Sequence, residues 1–471
     1  MPRFISCVSV FICSVVCLLA ALPTLAKESV DLVVTNGTVI TMDAQRRVIE
    51  NGAVAVRGDS IVALGTSAEI GAQYAAGKTI DAHGAIVMPG LINGHAHAAM
   101  SLFRGLADDL SFDDWLHKYI FPAEARNVTE EFVMSGTRLS IDEMLRGGIT
   151  TYADMYYFED AVARVTKEAG MRAVLGETIL DFPAPDNKSV GAALVYTQTF
   201  LDHWKGDPLI VGAVAPHSIY TCSEKTLQES TALARKNHAP ILIHIAEALF
   251  ELEQSRENNG ASPVQYLARI GVLGPDVLGA HCIWVDSADI VTLAHFGVGC
   301  TFNPSNNMKT AAGLMPAPAM LSAGVAVGIA TDGAASNNNQ DLFEEMDLGA
   351  KLQKFGHMNP QVLPAEQVVE MATITGARAL HMENQIGSIA PGKKADLILV
   401  DTTSPHATPM YNLYSQIVYA LKAADVRTVI IGGKPVMEDR TMLTLDEATI
   451  LEKANEYRKQ VLASFAQSAG K

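Results

Sequence analysis

Between about residues 90 and 335 the chain alternates short apolar or β-rich runs with longer stretches in which apolar residues recur at helical spacing. The runs are Leu91 to His97, Ile149 to Asp154, Met171 to Glu177, Leu209 to Ala215, Pro240 to Ile245, Val277 to His281, Gly297 to Phe302, and Val325 to Thr331. Eight such repeats predict an α/β fold, a (β/α)8 or TIM barrel, spanning about residues 89–384. The intervening helices carry their own signals. Ser223 stands as an N-cap before an amphipathic run, and Glu130 to Leu145 keeps its apolar residues on one helical face. Two further helices, Gln340 to Gln353 and Pro364 to Leu380, extend the end of the barrel.

Outside the barrel the pattern changes to short strands and turns. Residues 27–88 contain Asp31 to Val34, Ala53 to Val56 and Ser60 to Gly65, with Arg57-Gly58-Asp59 as a hairpin turn. Residues 385–443 contain Ala395 to Val400 and Thr428 to Ile431, so the two flanks are expected to meet as one small β-sandwich. Gly387 to Lys394 has the glycines and lysine of a phosphate loop, but no Ser or Thr follows the lysine and a strand follows the loop. It reads as a turn. Residues 444–471 contain a surface-docked amphipathic helix, Leu445 to Phe465.

The first 26 residues differ from all of these. Arg3 precedes a nearly uncharged apolar stretch from Phe4 to Leu22, then Pro23-Thr24-Leu25-Ala26, which is the pattern of a secretory signal cut after Ala26. The mature chain is therefore expected in a periplasm or outside the cell, with no stable membrane association. The alternative is an uncut N-terminal anchor. Loss of Arg3 takes the formal net charge from −16 to −17, and so acidic a body disfavours nucleic acid as a partner. With 471 residues, 49% hydrophobic and 18% charged, the chain can bury a large core. Cys222, Cys282 and Cys300 remain after the signal and have neither disulfide-framework nor zinc-finger spacing, so they read as small buried hydrophobes.

In a barrel, functional residues gather at the carboxyl ends of the strands. His95 and His97 close the first run, His217 follows the fourth, His244 ends the fifth, His281 ends the sixth and Asp332 follows the eighth. Residues two apart in a strand point the same way, so His95 and His97 either clamp one metal ion or hydrogen-bond at a strand end. Each of the other histidines alone has a structural explanation, but their joint placement favours a site. Asp108-Asp109, Asp113-Asp114 and Glu344-Glu345 read as solvated acidic faces.

From about Val30 to Arg440 the chain resembles the amidohydrolase superfamily, and within it the S-adenosylhomocysteine/5′-methylthioadenosine deaminases and related triazine chlorohydrolases. The resemblance is carried by Pro89-Gly90-Leu91-Ile92-Asn93-Gly94-His95-Ala96-His97, by Leu102 to Leu110 with Trp115-Leu116, and by Ala215-Pro216-His217-Ser218. It continues in His244-Ile245-Ala246-Glu247, Gly279-Ala280-His281-Cys282, Asn303-Pro304-Ser305-Asn306 and Thr331 to Asn338. It implies one divalent metal ion held by His95, His97, His244 and Asp332, zinc first and iron, nickel or manganese as alternatives. It also implies Asp332 as proton acceptor, His281 as the residue that orients the nucleophile, and Glu247 as the acid and base at the substrate ring. His217 would then contact a ring nitrogen, Glu124 the ribose hydroxyls, and Trp115 would pack on the nucleoside or wall the pocket.

The implied activity is hydrolytic deamination of an adenine nucleoside, the small-molecule partner; a homo-oligomer is compatible with the sequence. Relatives that accept S-adenosylhomocysteine use arginines in and after the third strand, where this chain has Glu177 and the loop Asp181 to Lys188. Acids there are expected to repel the amino-acid carboxylate, so that 5′-methylthioadenosine or adenosine is preferred over S-adenosylhomocysteine unless Lys188 reaches in. The alternatives are a hydrolase of a triazine, another aminated heterocycle or an amide, and an exported metal-binding protein without turnover. Glu247 and His281 disfavour the last, because holding a metal needs no proton shuttle.

Overall fold

The structure, a computed structural model, describes residues 26–469, so the expected signal segment lies outside it except for Ala26. Among the described residues eight strands form one parallel sheet in chain order: β1 (Leu91–Ala96), β2 (Ile149–Tyr156), β3 (Arg172–Ile179), β4 (Ile210–Pro216), β5 (Ile241–Ile245), β6 (Val277–His281), β7 (Gly299–Phe302) and β8 (Ala326–Ile329). Almost every residue of these strands is buried, as expected when helices cover the outer face and side chains fill the interior. Inside the barrel Ile92, Ala153, Val174, Ala213, Leu242 and Leu278 pack against Ala377 and Met382 from beyond β8.

A side chain helps to close the ring. Asn93 of β1 donates from Nδ2 to Thr331 Oγ1 at 2.8 Å and accepts the Thr331 N–H on Oδ1 at 3.0 Å. One residue on, the Asp332 N–H donates to the His95 carbonyl at 3.0 Å, which sets the last polar residue of the barrel against the first.

The helices start where their caps predict. Ser223 Oγ caps Glu224–Asn237 and Thr129 Oγ1 caps Glu130–Arg146, whose first turn also carries Glu130 and Glu131 toward the positive end of the helix dipole. The stretch Pro364 to Leu380 is two helices rather than one, Ala365–Met371 and Ile374–Ala379. The break lies where the Ala372 carbonyl accepts the N–H of Ile92 at 2.9 Å, a bond to β1 made at the end of the first of these helices.

The two chain ends meet in one continuous sheet of nine strands among the described residues. Strand Ile86–Pro89 joins them, parallel to strand Glu28–Ile40 at Thr38 and Val39 and antiparallel to Leu397–Val400. Leu32, Val56, Ile80, Val87, Leu397 and Ile430, drawn from both ends, share a core. Residues 387–394 form a turn in which the Lys393 ammonium donates to Ser388 Oγ at 2.6 Å, leaving no phosphate-loop geometry. The C-terminal helix Glu447–Ala469 lies on the barrel's flank, where the Tyr457 ring meets Phe132 with centroids 5.2 Å apart. No described helix is long and apolar enough to cross a membrane.

Candidate active site

At the carboxyl end of the strands β1 delivers His95 and His97, β5 delivers His244, β6 delivers His281, and the turn after β8 delivers Asp332. His97 Nδ1 lies 2.7 Å from the Met155 carbonyl and His244 Nδ1 lies 2.9 Å from the His217 carbonyl. A carbonyl only accepts, so in both rings Nδ1 carries the proton and Nε2 keeps its lone pair. His95 Nε2 and His97 Nε2 stand 3.6 and 3.4 Å from Asp332 Oδ1. The ring of His95 is 4.8 Å from that of His97, 5.0 Å from His244 and 5.3 Å from His281.

Two overlapping sets, His95 with His97 and His244, and His95 with His281 and Asp332, each bring their ligand atoms within 4.8 Å of one another. Burial favours the neutral form of His95, His244, His217 and His281. It pushes His95 and His244 well below the ordinary histidine range, His217 to about 3 and His281 to about 4, with neighbouring imidazoles adding to the effect. His95 Nε2 is buried without a hydrogen-bond partner among the described residues. An orphaned buried polar atom costs about 1–3 kcal/mol. A lone pair left over among neutral imidazoles and a carboxylate fits a divalent cation, which the neutral N and charged O donors would accept. The backbone is also strained here, with Ala246, His281 and Asp332 at φ +52°, +72° and +66°, at a cost on the order of 1–3 kcal/mol each.

Glu247 sits beside this cluster, its Oε1 3.6 Å from His281 Nε2. Burial, with the nearby charges of Asp332 and Glu251, pushes its carboxyl well above the usual range, so it holds a proton at neutral pH. Its loop is fixed by Glu251, whose carboxyl accepts the N–H groups of Ala246 at 3.0 Å and Glu247 at 2.9 Å. The sequence reading passed over Glu251. The available signal was an acid in the first turn of helix Leu249–Asn259, the position from which a capping carboxylate reaches back to the preceding N–H groups. Asn303 Nδ2 lies 3.3 Å from His281 Nδ1 on the other side of that ring.

A cavity opens onto these groups. His217 lines it, with Nδ1 held within 3.0 Å of Thr221 Oγ1 and 3.1 Å of Ser218 Oγ. Glu124 lines it too, from the short helix Phe121–Asn127, and burial pushes its carboxyl to about 7 against the opposing pull of the Tyr156 and Tyr157 hydroxyls. Trp115 opens the π-helical turn Trp115–Ile120 and forms part of the wall, its ring 5.9 Å from that of Phe112.

Two expectations change. Glu177 and the loop after β3 do not line the cavity. Glu177 is fully buried, accepting from Asn187 Nδ2 at 2.9 Å and from the Glu159 N–H at 3.2 Å. Asp181 accepts the Ser223 N–H at 2.7 Å, Asp186 accepts the Phe158 N–H at 2.7 Å, and the Lys188 ammonium rests on the Ala184 carbonyl at 3.1 Å. These acids are occupied by backbone donors, so repulsion by them is no basis for substrate choice. What the cavity shows instead is that, among the described residues lining it, none is arginine or lysine. Second, Glu345 is no solvated acid. It is fully buried, accepting the Ser305 N–H at 2.9 Å and the Asn337 amide at 2.8 Å, behind the turn that carries Asp332. The three remaining cysteines are buried and free, as read.

A TIM-like barrel with a His/Asp cluster at its mouth and a sheet built from both chain ends defines a class, and residues 86–436 match the amidohydrolase family. The chain belongs to that family. A 5-methylthioadenosine/S-adenosylhomocysteine deaminase of Syntrophus aciditrophicus is 44% identical over 93% of this chain and 99% of its own length. A 5′-deoxyadenosine deaminase of Methanosarcina mazei is 41% identical over 92% of this chain and 99% of its own. Among solved structures, an adenosine deaminase from Xanthomonas campestris with bound zinc superposes with a TM-score of 0.91 at 36% identity, covering 93% of this chain and 100% of that one. A triazine hydrolase from Arthrobacter aurescens shares the fold, with a TM-score of 0.84 at 21% identity over 91% of this chain and 99% of that one.

Proposed function

We propose that this protein is a metal-dependent aminohydrolase that converts adenine nucleosides and water into the inosine analogues and ammonia. The observation that carries this reading is the convergence of Glu247, His281 and Asp332 on the orphaned His95 Nε2 at one end of a cavity that also holds Glu124. A divalent cation held by His95, His97, His244 and Asp332, zinc by the similarity to relatives and by ligand chemistry, would lower the pKa of water to about 7 and make a nucleophile available at neutral pH.

The chain's own groups then handle the protons. As the water oxygen adds to C6 of adenine, Asp332 takes one water proton and Glu247 gives its carboxyl proton to N1. His281, within 3.9 Å of Asp332 Oδ2, orients the attacking oxygen and stabilises the charge that develops on it. Collapse breaks the bond from C6 to the amino nitrogen. The remaining hydroxyl proton returns to Glu247, and the proton on Asp332 leaves with the amine as ammonia. Such a relay contributes typically 10²- to 10⁴-fold. His217, neutral on account of its burial, is positioned to contact a ring nitrogen, Trp115 to cover the nucleoside, and Glu124 to accept from the ribose hydroxyls.

The ligand class follows from the cavity wall. A lining without arginine or lysine offers no ion pair to an amino-acid carboxylate, so 5′-methylthioadenosine, 5′-deoxyadenosine and adenosine are the preferred substrates over S-adenosylhomocysteine. The test is ammonia release and product mass with these four compounds, using metal-analysed enzyme with and without chelator. A higher kcat/KM for S-adenosylhomocysteine sinks the preference, and ammonia from none of the four sinks the activity. The leader at residues 1–26 supports export with cleavage after Ala26, which the N-terminal mass of the mature chain checks.

A further inference from the structure

Tyr156 and Tyr157 are consecutive, yet both hydroxyls reach Glu124, at 2.7 Å from Oε1 and 3.4 Å from Oε2. In an extended strand neighbouring side chains point to opposite faces, so the chain must turn between them. The strand ends at Tyr156, so the alternation stops between the two tyrosines, and one residue past Tyr157 the chain is left-handed at Phe158, φ +56°. A bulky residue there is strained and persists only if its surroundings fix it.

Four acids do the fixing. Asp154 accepts the Ala98 N–H at 2.6 Å, Glu159 the Tyr156 N–H at 2.9 Å, Glu177 the Glu159 N–H at 3.2 Å, and Asp186 the Phe158 N–H at 2.7 Å. Asp154, Glu159 and Glu177 are fully buried. Asp154 Oδ2 and Glu159 Oε2 have no other partner among the described residues and face each other, so this pair holds together by sharing a retained proton. The ladder therefore ties the loops after β1, β2 and β3 together around the two tyrosines. Deamination at C6 makes no use of any of these four acids.

We propose that the Tyr156–Tyr157 pair is a specificity device, held in place by this buried carboxyl ladder, that orients Glu124 to read the ribose 2′,3′-diol. The inference rests on the nucleoside reading of the site. With two hydroxyl donors fixing one side of the carboxylate, its remaining lone pairs are presented in one orientation, which suits two adjacent hydroxyl donors. Glu159 acts through Tyr156 and is a positioning residue.

The experiment compares kcat/KM for adenosine with that for 2′,3′-dideoxyadenosine, which differ only in the two hydroxyls. Tyr156→Phe removes one oxygen and should lower the adenosine-to-dideoxy ratio about 10-fold, the loss of one charge-assisted hydrogen bond, mainly through KM for adenosine. Glu159→Ala should lower the ratio similarly. Glu159→Gln should keep it, because the amide supplies both the acceptor for the Tyr156 N–H and a donor toward Asp154. An unchanged ratio in Tyr156→Phe, with the ratio collapsed in Glu124→Gln, overturns the proposal. So does equal loss on both substrates in Glu159→Ala, which is what a purely structural role would give. Wild-type enzyme that releases ammonia from neither compound overturns the nucleoside reading itself, and this inference with it.

Discussion

At the end of the barrel that faces the nine-stranded sheet, Arg172 engages Asp396 at 2.7 and 3.2 Å and the Pro208 carbonyl at 2.6 Å, while Asp396 also accepts the Gly432 N–H at 2.7 Å. At the opposite end His95 Nε2 and Asn303 Oδ1 are just as buried and have no partner among the described residues. Both ends bury polar groups at the edge of the same strands. The difference is satisfaction: the Arg172 pair is closed on itself and joins two domains, whereas the histidine end keeps lone pairs in reserve for something that is not protein. Burial of charge marks a site only where the partners are incomplete.

The largest expected effect falls at the mouth. Glu247→Gln should lower kcat by 10²- to 10⁴-fold with bound metal retained and little change in unfolding midpoint, since the buried carboxyl already holds its proton. Turnover at the wild-type rate in that variant would remove Glu247 from the relay. At the other end Arg172→Ala leaves Asp396 buried and unpaired and should cost about 3–5 kcal/mol in denaturant unfolding. Its kcat per folded molecule should stay near wild type, and a large kcat loss without loss of stability would erase the contrast between the two ends.

Glu251→Ala sharpens the comparison because it tests a satisfied group at the unsatisfied end. Freeing the Ala246 and Glu247 N–H groups should lower kcat about 10- to 100-fold by misplacing the Glu247 carboxyl, with the effect on KM much smaller. A variant that only melts earlier would make Glu251 structural. The most gradual effect is a pH slope. Burial raises Glu345 from 4.5 to about 8, so the folded chain holds a proton there that the unfolded chain releases above 4.5. The stability tied to that proton is complete below pH 4.5 and is lost as pH rises through about 8, at no more than about 1.4 kcal/mol per pH unit. Unfolding of Glu345→Gln between pH 5 and 8 should lack that share of the slope; an identical slope in both proteins removes Glu345 as its source.

The periodic part of the molecule was legible because its signals are local. Alternating apolar runs and capped helices specify strands and crossovers, and the two-residue period of a strand puts His95 and His97 on one side wherever the strand ends up. The family segments around His244, His281 and Asp332 could be read residue by residue for the same reason. Glu251, Glu159 and Glu345 were not legible, since an acid in a helical turn reads alike whether its carboxylate meets water or a distant N–H. Glu177 and Asp186 were misread for the same cause: sequence showed their charge but not that Asn187 and the Phe158 N–H had taken it up. The split of Pro364 to Leu380 came from a hydrogen bond to β1, far away in the chain.

The sequence by itself thus determined the barrel, the joining of the two chain ends in one small β domain, and the set of histidines and acids that gather at the barrel mouth. Tertiary structure decided which of those acids face the cavity. Asp332 meets His95 where Asn93 helps to splice β8 to β1, and two adjacent tyrosines meet Glu124 where β2 ends between them. The physical reason is one of range: backbone periodicity is written in neighbouring residues, while the pairing of a buried charge depends on which donors the closed ring brings within about 3 Å.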